Sequence, residues 1–125
     1  MTIRVPMTPS PALSPNMRVH WATKMRAVAT FRQVARVAAL ASTTADERAT
    51  LTASPTIGYR VRVSWEPGRR GMRDEDNVLA ACKAALDGIA DALEIDDARL
   101  KIRGIDIDRE TREGVTVFTM IGEEA

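Results

Sequence analysis

The chain has 125 residues, 45% of them hydrophobic and 28% charged, and a net charge of +1. This is the length and composition of one soluble globular domain over residues 1–125, and no apolar run approaches a membrane span. Met1-Thr2-Ile3-Arg4-Val5 lacks the apolar stretch of a secretory signal, and the lone Cys82 excludes an intrachain disulfide, so a cytoplasmic protein is expected.

The near-neutral total hides an asymmetry. Residues 1–73 carry +9 and residues 74–125 carry −8. A basic half joined to an acidic half points to an anionic partner and a cation site, or to oppositely charged faces that pack together. Arginines outnumber lysines 15 to 3, which suits bidentate contacts to phosphate.

A short strand is expected over 2–5. Pro6, Pro9, Pro11 and Pro15 then hold the chain in a loop. From about Val19 to Ala41, apolar residues recur every three or four positions, among them Trp21, Met25, Val28, Phe31 and Ala38. This predicts an amphipathic helix. The segment from Ser42 to Pro55 reads as a helix exit and loop, with one short turn around Asp46-Glu47-Arg48. Thr56 to Glu66 alternates as a strand: Tyr59, Val61, Val63 and Trp65 face one way, Arg60 and Arg62 the other. Pro67-Gly68 ends it. A second helix is expected from Asn77 to about Leu93, with Val78, Leu79, Cys82, Ala85, Leu86, Ile89 and Leu93 on its buried stripe. Leu100 to Asp108 reads as a strand with an irregularity at Gly104. Val115 to Ile121 reads as a last strand, expected to form a hairpin with the one before. The order is β-α-β-α-β-β: an α/β (α+β) domain with one mixed four-stranded sheet covered by two main helices.

The richest segment is Arg69-Arg70-Gly71-Met72-Arg73 followed by Asp74-Glu75-Asp76-Asn77, with Asp96-Asp97 about one helix further on. Carboxylates suit Mg²⁺ or Mn²⁺ and guanidinium groups suit phosphates. In an extended segment, Asp74 and Asp76 would point to the same side and could share a cation. Acids at a helix start also serve simply as caps. Trp21 and Trp65 are expected in the core or at a dimer interface rather than as base-stacking platforms, and Cys82 in the core. His20 is expected to be structural or exposed.

Asp74-x-Asp76-Asn77, then Lys83 and Leu86-Asp87-Gly88, then Asp96-Asp97, resembles the RusA family of Holliday-junction resolvases of phages and prophages. Leu13-Ser14-Pro15-Asn16-x-Arg18-x-His20-Trp21 is similar to the opening motif of phage-type members. The resemblance implies a RusA-like fold and a homodimer that binds four-way and related branched DNA. It implies paired, Mg²⁺-dependent (or Mn²⁺-dependent) cuts in DNA recombination and repair, made in a bacterium or a phage-infected host. Asp74, Asp76 and Asp97 would be the metal carboxylates, with Asp96 next to them. Asn16 and Arg18 would contact DNA, and Arg69, Arg70 and Arg73 are the candidate backbone contacts. The family's essential lysine falls at Ala80 here. Lys83, one turn further on, is the candidate replacement, or else an exposed lysine paired with Asp87.

A straight helix over 77–93 would hold its ends about 25 Å apart, so Asp76 and Asp97 of one chain would not meet. Either the helix breaks near Gly88, or an antiparallel partner supplies its Asp97; the reading adopted is the second. The competing readings are a catalytically inactive DNA-binding dimer and a structural dimer whose acids only cap a helix.

Overall fold

In a computed structural model, residues 1–124 are described. The strands are β1 (Thr2–Val5), β2 (Thr56–Ser64), β3 (Leu100–Asp108) and β4 (Val115–Glu123). The helices are α1 (Trp21–Ser42), α2 (Ala45–Thr52), α3 (Glu75–Ala81) and α4 (Lys83–Leu93). The four strands make one mixed sheet in the order β1-β4-β2-β3. The expected order of elements holds, with α1 and the α3–α4 pair as its two main helical segments.

The expected hairpin between the last two strands does not form. β4 lies antiparallel to both β1 and β2, and β3 lies parallel to β2 on the far edge. The link from β3 to β4 therefore crosses over β2. A short turn in sequence invites a hairpin, but β2 is the most buried strand and lies between β4 and β3, with both of its edges paired. The irregularity at Gly104 is present: the β2–β3 register runs Tyr59 to Ile102, then Arg60 to Gly104, leaving Arg103 bulged out.

Ile57, Tyr59, Val61 and Val63 of β2, and Trp65 just after it, project into a core shared with Ile3, Val5 and Phe118 and with the helices. Among the described residues, no helix covers the opposite sheet face. Its rows follow the register, one being Arg4, Val117, Arg62 and Asp106.

α1 packs on α4 through Phe31, Ala35 and Ala39, but none of its residues 21–30 is buried. Trp21 is 72% exposed, so of the two tryptophans only Trp65 is in the core. The expected single turn after α1 is a full helix, α2. Thr44 accepts from the Glu47 N–H, and Glu47 returns a bond from the Thr44 N–H: a capping box. Thr44-x-x-Glu47 was the legible signal for it. Among the described residues, no helix is long and apolar enough to cross a membrane.

Candidate functional site

The acid segment begins as a cap. Asp74 has extended backbone, and its Oδ1 accepts from the N–H of Asp76 (2.8 Å) and of Asn77 (3.2 Å). Those bonds satisfy backbone donors that would otherwise be orphaned at the start of α3. Helix starts at Glu75, so Asp76 is helical and the strand-like alternation expected to align it with Asp74 does not apply. The Asp76 carboxylate is exposed and has no side-chain partner among the described residues.

The long second helix is broken, but at Cys82 rather than Gly88. Cys82 donates to the Val78 carbonyl at 3.0 Å and accepts from Leu86 at 3.0 Å, so the hydrogen-bond ladder runs through the break. Lys83 opens α4. After Leu93 the chain reverses at Glu94, which has φ +57°. Ile95 N–H closes the reversal on the Ala90 carbonyl at 3.1 Å. The returning segment lays Asp97 against the Lys83 ammonium, which also donates to Asp87 at 3.0 Å. Lys83 thus joins two carboxylates, one a turn along its own helix and one fourteen residues away in sequence. The Asp97 hydrogen bond, then the Asp87 bond, raise the Lys83 pKa. Lys83 holds Asp97 below the usual carboxylate range. Asp96 caps the turn at Asp97–Arg99 by accepting from the Ala98 N–H.

The return of Asp97 shortens, without closing, the separation that favoured a partner-supplied Asp97. Lys83 is two turns from Asp76 along the α3–α4 path, about 10 Å of rise. Even so, the three expected metal carboxylates do not gather. Asp74 is engaged as a cap and Asp97 as the partner of Lys83. Among the described residues, no three His, Cys, Asp or Glu side chains stand together as a ligand set. The donor chemistry suits Mg²⁺ or Mn²⁺, but the arrangement of one chain does not fit a three-carboxylate site.

The basic loop before the acids is held in place from below. Arg112 donates to the Arg69 carbonyl at 2.9 Å, and Arg109 donates to the Met72 carbonyl at 3.1 Å. Gly71 sits at φ +67°, where a Cβ would lie 2.3 Å from the Trp65 ring. The loop therefore rests directly on the core. Arg69 is paired with Glu66, whose carboxylate also accepts from the Thr8 hydroxyl. Arg70 and Arg73 have no acid partner among the described residues, and neither does the exposed Arg18; Asn16 is also exposed. Sequence reasoning missed Arg109 and Arg112. Their role depends on the β3–β4 turn lying under the loop, and no local pattern signals that. It placed Asp87 in the Leu86-Asp87-Gly88 motif and as a surface partner of Lys83, whereas the carboxylate shares the Lys83 ammonium with Asp97.

His20 is structural in one respect: its Nδ1 accepts from the Ala22 N–H at 3.2 Å and caps α1. Cys82 is buried, and burial pushes its thiol up to about 12.

No family model matches the chain. It is 38% identical over 117 residues to an uncharacterized protein of Xylella fastidiosa (strain Temecula1 / ATCC 700964), across 91% of this chain and 72% of that protein. The chain belongs to the same family as that protein. Among solved structures, IspF (Plasmodium falciparum) in its CDP complex has a TM-score of 0.33 and 10% identity to this chain. That likeness covers 87% of this chain and spans 62% of the IspF chain; at this level it says nothing of activity.

Proposed function

We propose that the protein is a RusA-type endonuclease that acts as a homodimer on four-way and related branched DNA. Mg²⁺ or Mn²⁺ is its cofactor and would supply Lewis-acid chemistry for phosphodiester hydrolysis. One observation carries the reading: Lys83 stands on Asp97. The motif's lysine is displaced from position 80, yet Lys83 meets the later acid pair through the fold. An exposed ion pair of this kind contributes little to stability, so packing does not require the lysine there. A cation at that point is suited to the charge that develops on a phosphate oxygen. Arg70 and Arg73, on a loop anchored by Arg109 and Arg112, offer unpaired guanidinium groups to the DNA backbone.

A second reading has its own support. Three carboxylates do not converge in one chain, which favours a dimer that binds junctions without cutting them. One assay separates the two. On a synthetic four-way junction with Mg²⁺, the protein should nick opposing strands; EDTA should abolish this, and Asp76→Asn and Lys83→Met should each reduce it by at least about a hundredfold. Tight junction binding with no nicking across several junction sequences and both metals selects the second reading. Loss of neither binding nor nicking in the two variants sinks the assignment of these residues.

A further inference from the structure

We propose that His20 and Trp21 form a platform on which one unstacked base of a bound DNA strand stacks, while Arg18, Lys24 and Arg26 meet the neighbouring phosphates. This rests on the DNA-binding part of the reading above and is independent of cleavage.

Trp21 is 72% exposed, as are Met25 (54%) one turn along the same helix and Met17 (49%) four residues before it in the chain. Scattered surface apolar residues need no explanation, but an indole, two thioethers and Val19 within nine residues make a patch. Nothing in the described chain covers it. Residues 21–26 extend α1 by about 9 Å beyond Ala27 and Val28, its first residues packed against the core.

The aromatic pair is already arranged. The two rings stack at 5.8 Å with 30° between their planes. The imidazole is pinned by its bond from the Ala22 N–H. A platform set before the ligand arrives loses less freedom on binding. The Met25 side chain, one turn along the helix from Trp21, conforms readily to a flat ring.

Charge selects the occupant. Arg18, Lys24 and Arg26 have no acid partner among the described residues, and the chain contains no Asp or Glu before Asp46. Flat rings carried on an anionic chain are what a single DNA strand offers, and aromatic stacking with cationic tracking is the general mode for such strands. A second copy fits less well in the simplest arrangement. A two-fold contact of this arm with itself would set three cations against three cations. The surface also continues toward the acid segment. Ser14 and Met17 form one wall of a cleft of about 330 Å³, and Arg69 to Met72 form part of the other.

Intrinsic fluorescence tests this, because Trp21 is the accessible indole and Trp65 is only 1% exposed. The full protein is titrated in EDTA with a short oligothymidylate, and separately with an abasic deoxyribose-phosphate chain of equal length. The thymidylate should quench the exposed indole and the abasic chain should not. Trp21→Ala should weaken thymidylate binding by about tenfold or more, Trp21→Phe should retain most of it, and abasic-chain affinity should be unchanged in both. Equal quenching by the abasic chain overturns the proposal. So does quenching by anionic phospholipid vesicles alone, or a Trp21→Ala protein that changes its sedimentation and keeps its thymidylate affinity. If the parent protein binds no DNA, the function proposed above fails as well. If it cleaves junctions while Trp21→Ala binds thymidylate normally, only the platform fails.

Discussion

Asp108 shows how much one carboxylate can organise. Its Oδ1 accepts from the N–H groups of Glu110 and Thr111, and its Oδ2 accepts from the Thr111 hydroxyl and from Arg62. The Thr111 hydroxyl, then the two backbone donors, hold its pKa down at about 2. A carboxyl depressed in the folded state adds stability above its unfolded pKa of about 3.9, and that stability is lost as pH falls towards the folded value. Urea midpoints measured across this range should therefore decline from about pH 4 towards pH 2. Asp108→Asn should lower the midpoint at neutral pH and flatten that part of the acid decline. An unchanged profile would mean that the turn after β3 does not depend on this carboxylate. The same turn carries Arg109 and Arg112, so its integrity bears on the basic loop.

At the scale of elements, the contact between α1 and α4 is set by Gly88. A Cβ built there would fall 2.1 Å from the Arg32 carbonyl oxygen, which is backbone and cannot swing aside. Two effects oppose each other in Gly88→Ala. Helix propensity favours alanine by about 1 kcal/mol, while overpacking costs about 1–3 kcal/mol and sometimes more. The close approach should win, so Gly88→Ala should lower the thermal midpoint by several degrees and loosen the Arg32–Asp91 pair, now at 2.7 Å. A raised midpoint would show that α1 can shift without loss. The sequence makes Gly88 look like a weak point in a helix; only the packing shows that it lets another helix in. The break at Cys82 is of the same kind. The apolar stripe passes straight through it, so periodicity predicts one helix from Asn77 to Leu93.

At the scale of the molecule, the charge asymmetry is partly spent within the fold. Arg4 pairs with Glu113, Arg32 with Asp91, and Arg62 with Asp108 and Glu113, each joining the basic half to the acidic half. The alternative of oppositely charged faces packing together therefore applies to these arginines. It does not apply to Arg18, Lys24, Arg26, Arg70 and Arg73, which have no acid partner among the described residues. The return of Asp97 to Lys83 also bears on how a dimer would be built. If the site is built within one chain through the reversal at Glu94, mixed dimers of Asp76→Asn and Asp97→Asn chains should cleave no better than either variant alone. Recovery of a substantial fraction of parental cleavage would place Asp97 in the partner's site instead.

Much of the fold was legible because alternation and helical spacing are local consequences of which face must be buried. Thr2–Val5, the β2 stripe ending at Trp65, the Leu100–Asp108 strand with its bulge, and the position of the acid segment all follow from near neighbours in the chain. Strand order was not legible, since a sheet is arranged by competition among edges far apart in sequence, and β2 took the centre between β4 and β3. The site divides in the same way. Residue types and spacing singled out Asp74, Asp76, Lys83 and Asp97. The tertiary structure decided that Asp74 caps a helix, that Lys83 meets Asp97 through the reversal at Glu94, and that Trp21 faces solvent because α1 meets the core only from Ala27 onward.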